Sequence, residues 1–299
     1  MKYILYLIVS IIISATSYAQ QDSIHFTKGS WNDVLAKAKA DNKPIFVDCY
    51  ASWCGPCKWM VGHVFNNDAV AKFYNEHFIC YAADVEKGEG ATLKTQFHVF
   101  AYPTYMFLDK DGSPIHRSTG SMPTASFMNL GKAALDTSKC YFLLKKRYDD
   151  GERSPDLLYN YAMAKNQAGK LSMFNFNYDY DAIAHEYYLT QSPDELLNKK
   201  NWTSMQILVT SILDPVFNFV MEHKNDYTNR YGKTEVDSTI SNVAFLSYST
   251  RTSEKDSTIR NKAKEIIINI NYPYFIKKTE QLDDRNTVKH LKAQELKGK

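Results

Sequence analysis

Ile45-Phe46-Val47-Asp48-Cys49-Tyr50-Ala51-Ser52-Trp53-Cys54-Gly55-Pro56-Cys57-Lys58 sets a strand signal, a helix start and two thiols side by side. Ile45 to Tyr50 is a short apolar run suited to a strand buried on both faces. One acid, Asp48, interrupts it. A helix is expected after Gly55-Pro56, with Pro56 in the first turn, where its missing N–H costs nothing. Cys54 then sits at the helix N-terminus, where unpaired N–H groups and the macrodipole favour an anion. Its thiolate is thereby stabilised, and thiolate is the reactive form. Two thiols three apart at a helix start reach each other with little backbone change. Cys54 is expected to attack a disulfide, and Cys57, one turn inside, to resolve the mixed disulfide. The rival chemistry is a structural zinc pair. Zinc normally takes four protein ligands at such a site. No second Cys-x-x-Cys exists here, and the eight His are scattered without metal-ligand spacing. No metal and no cofactor are expected.

The flanking sequence alternates helix and strand. Trp31, Val34, Leu35 and Ala38 follow the helical period after Ser30, and Asp41-Asn42-Lys43-Pro44 stops it. Val70, Phe73, Tyr74 and His77 make a second helical face, and Phe78 to Ala83 reads as the next strand. Leu93 and Phe97 mark another short helix. Thr104 to Leu108 and Ile115 to Ser118 flank Asp109-Lys110-Asp111-Gly112, a hairpin signal. Phe127, Leu130, Gly131 and Ala134 share the face of a closing helix. The order is βαβ, an antiparallel hairpin, then a helix, which predicts an α/β domain with a mixed central sheet flanked by helices. In that setting a Cys-x-x-Cys pair reads as a redox motif.

Phe46 to Lys58 resembles the active-site segment of the thioredoxin family, and Ala101-Tyr102-Pro103-Thr104 resembles that family's cis-proline segment. Trp31 to Pro44 and Val64 to Phe78 are most similar to the extracytoplasmic thioredoxin-like branch related to the C-terminal domain of the disulfide reductase DsbD. The resemblance covers about residues 25 to 137. It implies a thioredoxin fold and dithiol–disulfide exchange. It implies that Asp48 is a buried carboxylate behind Cys57, with its pKa raised by burial, taking the proton from Cys57. The alternative is an acid at a strand end, open to water. Trp53 is expected to pack under the site and restrict water, or to be ordinary core. Lys58 stands either as an electrostatic neighbour of the thiols or as a solvated charge. A cis Pro103 exposes the Tyr102 backbone beside Cys54, so that an extended substrate pairs there as an added strand. Tyr102 itself then touches substrate; its alternative is surface packing. Gly55 and Pro56 between the cysteines resemble reducing thioredoxins more than strong oxidants. One departure is Gly62, where the family usually carries a kinking proline, so the helix is expected to bend less or to bend at glycine.

The rest of the chain frames this domain. With 36 Lys+Arg against 33 Asp+Glu in 299 residues, the near balance argues against nucleic-acid binding. Lys2, the apolar run Ile4 to Ile13 and the small residues Ser17 and Ala19 read as a signal peptide over residues 1–19, cleaved before Gln20. A periplasmic or secreted location follows, with no stable membrane span after cleavage. Cys49 and Cys80 are expected in the core. Cys140, near the junction, stands as an inert thiol or a reactive one. Asp84 to Gly90 reads as a solvated loop facing the active-site edge.

From residue 138 the β signals fade. An all-α C-terminal domain is expected over 138–275, followed by a charged, solvated tail over 276–299. Its stripes are Leu157, Tyr161, Ala164 and Ala168; Tyr180, Ile183, Ala184 and Tyr187; Val236, Ile240 and Val243; and Ile259, Ala263, Ile266 and Ile270. Ser154-Pro155-Asp156 and the capping box Ser192-Pro193-Asp194-Glu195 lie 38 residues apart, which hints at helical-hairpin repeats. Asn201-Trp202-Thr203 matches a glycan acceptor, but the pattern is short and frequent by chance. The expected partners are disulfide-containing exported proteins and a membrane thiol–disulfide electron donor. The competing reading is a partner-binding helical module carried by a redox-sensing scaffold.

Overall fold

The computed structural model describes residues 22–169, 181–250 and 256–297, with side chains to residue 286. The expected signal segment and Tyr180 lie outside them. The chain divides into two compact units, one up to Asp136 and one from Thr137.

The first unit is built on β1 (Ile45–Tyr50). β2 (Ile79–Asp84) pairs with it in parallel, β3 (Thr104–Leu108) antiparallel, and β4 (Pro114–Thr119) extends β3 antiparallel. The sheet order is β2-β1-β3-β4. A parallel neighbour requires a crossover, supplied by α2 (Gly55–Met60), a π turn (Val61–Phe65) and α3 (Asp68–His77). α1 (Trp31–Asp41) precedes β1 and opens with a Ser30–Asp33 capping box. α4 (Gly88–Gln96) follows β2, and α5 (Thr124–Ala134) closes the unit. The β3–β4 turn is held by Asp109 Oδ1, which accepts from Asp111 N at 2.9 Å and Ser113 N at 2.8 Å.

Alternation along β1 explains its two faces. Phe46 joins Tyr74, Tyr105, Phe107 and Phe127 in one buried aromatic cluster. Each such ring contributes roughly 1.5–3 kcal/mol by leaving water. Tyr74 stacks on Phe127 at 4.5 Å and donates its hydroxyl to the Phe127 carbonyl at 2.8 Å. Asp48 lies on the same face, one residue pair further along, where β1 runs out toward α2.

Gly62 falls inside the π turn, and Asn66 Nδ2 donates to its carbonyl at 2.8 Å. The helix therefore widens at this glycine, with a side-chain donor taking up an acceptor at the irregularity. After β2 the chain folds back tightly. A Cβ on Gly90 would stand 2.1 Å from the Asp84 carbonyl oxygen, so α4 approaches the strand end as only glycine permits.

The second unit is helical among its described residues: α6 (Tyr141–Asp149), α7 (Pro155–Gly169), α8 (Ala182–Leu189), α9 (Pro193–Leu196), α10 (Lys199–Leu208), α11 (Pro215–Glu222), α12 (Lys224–Tyr231), α13 (Lys233–Thr250), α14 (Ser257–Ile270) and α15 (Pro273–Lys297). Leu157, Tyr161, Ala164, Ala168, Ile183, Ala184, Tyr187, Val236, Ile240 and Val243 are all buried. On α14 Ala263 is buried and Ile259, Ile266 and Ile270 pack half-buried against the core, with Ile267 buried beside them. The two Ser-Pro-Asp starts open helices of unlike length, fifteen and four residues.

One expectation is corrected, and one sequence match is ruled out. Residues 276–286 are not a solvated tail. They continue α15, with Thr279 buried, Ile276 and Leu282 packed on the core, and Asp283 receiving Lys264 Nζ at 2.8 Å. Asn201 is not a glycan acceptor. It is fully buried, and its amide nitrogen donates to Gln191 Oε1 at 3.0 Å and the Glu195 carbonyl at 2.8 Å.

Replacing Gly90 with alanine forces α4 off the Asp84 carbonyl. The expected loss is about 2–3 kcal/mol of unfolding free energy in urea titrations; an unchanged midpoint would show that the contact carries no constraint.

Candidate active site

β1 ends at Tyr50 and turns once, Cys54 N–H donating to the Ala51 carbonyl at 3.0 Å, before α2 begins. Cys54 is the N-cap of α2, and its Sγ accepts from Cys57 N–H at 3.1 Å. Pro56 occupies the first turn. The two sulfurs are joined in a disulfide with Cα atoms 5.4 Å apart. Once the bond is reduced, the sulfur at the cap is the one that the helix end stabilises as thiolate. Gly55 has open space around the position of a Cβ, so its smallness is not demanded by packing.

Asp48 is 3% exposed. Burial alone pushes its pKa up to about 7. Its Oδ1 has no hydrogen-bond partner among the described residues. Asp48, Cys57, Lys58, Tyr50, Ser52 and Val61 line one cleft of about 390 Å³. The structure thus brings the carboxyl and the second thiol to a shared cavity, with the exposed Lys58 on its wall.

Trp53 does not pack beneath the site, nor is it core. It is 67% exposed. Its indole N–H donates to Glu86 Oε2 at 2.7 Å, and its ring meets Tyr102 edge-on at 5.9 Å. Tyr102 donates its hydroxyl to Glu86 Oε1 at 3.4 Å and lies 5.3 Å beneath the Lys94 ammonium. The Tyr102–Pro103 peptide is cis, and Tyr102 packs against the Ala51, Cys54 and Cys57 cluster.

Glu86 is the residue that sequence reasoning missed. The Asp84 to Gly90 stretch is no free loop, because it is tied to the active-site segment three ways. Beyond Glu86, Lys87 Nζ donates to Ser52 Oγ at 3.0 Å, and Val85 N–H donates to the Tyr50 carbonyl at 2.9 Å. An indole N–H near a site needs an acceptor. The acids in the loop after the neighbouring strand were the signal available.

Cys49, Cys80 and Cys140 lie outside the disulfide and are buried. Burial pushes the Cys80 thiol up to about 12 and the Cys49 thiol higher still, with the Asp48 charge adding to the latter. Neither forms thiolate at ordinary pH. Among the described residues, no group of three or more His, Cys, Asp and Glu is placed to hold a metal ion.

A strand feeding a thiol-capped helix, with a buried carboxyl sharing the second thiol's cleft, defines a dithiol–disulfide exchange domain. Residues 26–110 match the thioredoxin-like family model. The first unit of this chain belongs to that oxidoreductase family and has the thioredoxin fold. The thiol:disulfide interchange protein DsbD of Yersinia pestis is 35% identical over 94 residues, covering 30% of this chain and 16% of that protein. Chloroplastic thioredoxin Y of Oryza sativa is 30% identical over 113 residues, covering 38% and 62%. A putative disulphide-isomerase from Bacteroides thetaiotaomicron, known in solution structure, is 36% identical over 39% of this chain and 97% of that one, with a TM-score of 0.37. The chain spans less than two thirds of the length of these curated relatives.

Asp48 also sets a pH dependence of stability. Its folded pKa, about 7, lies above the ordinary carboxyl value, so between about pH 4 and 7 the folded state binds the extra proton. Stability therefore falls as pH rises through that window, by on the order of 4 kcal/mol, and levels off above it. Asp48→Asn is expected to raise the melting temperature strongly at pH 8 and little at pH 4.5. An equal change at both would remove burial as the cause.

Proposed function

We propose that this protein is an extracytoplasmic thiol–disulfide oxidoreductase that reduces disulfides of exported proteins. The observation that carries the reading is the Cys54 Sγ at the helix cap, with Asp48 and Cys57 on one cleft. The Cys54 thiolate attacks one sulfur of a substrate disulfide, and the other leaves as a thiolate. Asp48 takes the proton of Cys57. The Cys57 thiolate then attacks Cys54 Sγ, releases the second substrate sulfur and closes the Cys54–Cys57 disulfide. Two electrons have passed to substrate, so a thiol-bearing donor must restore the dithiol. In an oxidising compartment that donor is a membrane thiol–disulfide carrier.

The signal-like start of the chain and the similarity to DsbD support the extracytoplasmic location. Among the described residues no helix is long and apolar enough to cross a membrane. The exposed Trp53 and the half-buried Tyr102 flank the cysteines and are the contacts for an extended substrate, with Pro103 shaping that edge.

Cys54→Ser is expected to abolish insulin reduction, and Cys57→Ser to accumulate mixed disulfides identifiable by mass spectrometry. Full turnover by Cys54→Ser would end the enzyme reading. A reduction potential near the thioredoxin value of about −270 mV supports the reducing direction, whereas one near −120 mV would make the protein an oxidant. N-terminal sequencing of the exported protein should begin at Gln20.

A further inference from the structure

Tyr105 on β3 is the direct cross-strand partner of Asp48 on β1. Such partners point to the same face of the sheet, with Cβ atoms about 5 Å apart. The Tyr105 ring is wholly buried, 5.2 Å from Phe127 and 6.1 Å from Phe46. Phenylalanine would fill that space equally well. Yet the position carries a hydroxyl, and that hydroxyl has no hydrogen-bond partner among the described residues. The neighbouring Asp48 Oδ1 is in the same condition. Two orphaned polar atoms on adjacent positions of one buried face need a common explanation. One is a donor and the other an acceptor. Direct cross-strand partners on one buried face are close enough for a single bridging water or a small ring movement to join two such groups.

We infer that Tyr105 is the positioning residue of the buried carboxylate: its hydroxyl, directly or through one water, donates to Asp48 whenever Asp48 is ionised. This rests on the reading of Asp48 as the base that deprotonates Cys57. Among the described residues no donor reaches Asp48 Oδ1, although Ser52 also lines its cleft. Cys57 and Lys58 face it from α2, Tyr50 lies on its own strand, the β2 position beside it is Ala82, and the N-terminal segment contributes Phe26. Burial, with the Asp48 charge second, holds the Tyr105 phenol far above its ordinary value, so it remains a donor at every working pH. The hydrogen bond favours the charged carboxylate and keeps a fraction of Asp48 ready to accept the Cys57 proton. As that proton arrives, the Cys57–H bond breaks and an Asp48 O–H forms. The phenol keeps its own proton throughout.

The test is Tyr105→Phe in the full mature chain, which removes one oxygen and keeps the ring. The Asp48 titration midpoint, followed by infrared or carbon NMR, should rise by about 0.5–1 pH unit. Release of the mixed disulfide should slow about 3- to 10-fold at pH 7 and recover by pH 9. In an Asp48→Asn background the same change should add nothing. An unmoved midpoint with an unmoved pH profile would overturn the inference, even if thermal stability fell. A raised midpoint without a slower release would support the Tyr105–Asp48 pairing while removing Asp48 as the base. Should Tyr105→Phe fold poorly, 3-fluorotyrosine at position 105 supplies the opposite sign. Its stronger donor should lower the midpoint, and a midpoint that stays or rises overturns the pairing.

Discussion

The structure of the first unit hangs on β1, a strand buried on both faces that must deliver its last residues into a helix capped by sulfur. Cys54 Sγ accepting from Cys57 N–H is the end point of that constraint. The parallel pairing with β2 demands the crossover that α2 begins. The same pairing brings the end of β2, and with it Glu86, beside the active-site turn. The antiparallel pairing with β3 brings Tyr102 and Pro103 to the same edge. The cysteine pair, the loop latch and Tyr102 therefore converge because three strands end or begin at one edge of a sheet.

Burial does opposite work on adjacent residues. It disfavours charge on Asp48 and on Cys49 alike. The carboxyl, starting low, lands near 7, where proton transfer is efficient. The thiol, starting high, is driven out of the working range. One strand thus holds a carboxyl that titrates near neutral pH and an inert cysteine next to each other, and the alternation of side chains decides which faces the cleft. The five cysteines divide accordingly into one exchanging pair and three buried thiols.

Much of this was legible in the sequence because it depends on local patterning. The apolar run Ile45–Tyr50 forms β1, Gly55-Pro56 starts α2, and the stripe of Phe127, Leu130, Gly131 and Ala134 is the buried face of α5. What stayed hidden depends on partners distant in sequence. Trp53 reads as core by residue type, and its exposure follows from an acceptor 33 residues away. Glu86 looks solvated until the β1–β2 pairing places it. Asn201 carries a local glycan pattern, but Tyr187 from another helix and Gln191 from the turn after it claim its side chain. The charged end of the chain looks like a tail because its apolar contacts, Phe275, Ile276 and Leu282, are sparse among the charges. The widened turn at Gly62 has no local marker beyond the glycine itself.

The central claim is that position on α2 makes the two thiols chemically unequal. Alkylation of the reduced protein with iodoacetamide across pH 5 to 9, with each site quantified by mass spectrometry, tests it most directly. Cys54 should react first, with a midpoint below the ordinary thiol value of about 8.5, while Cys57 lags throughout the range. Equal rates at both sites, or a faster Cys57, would contradict the account.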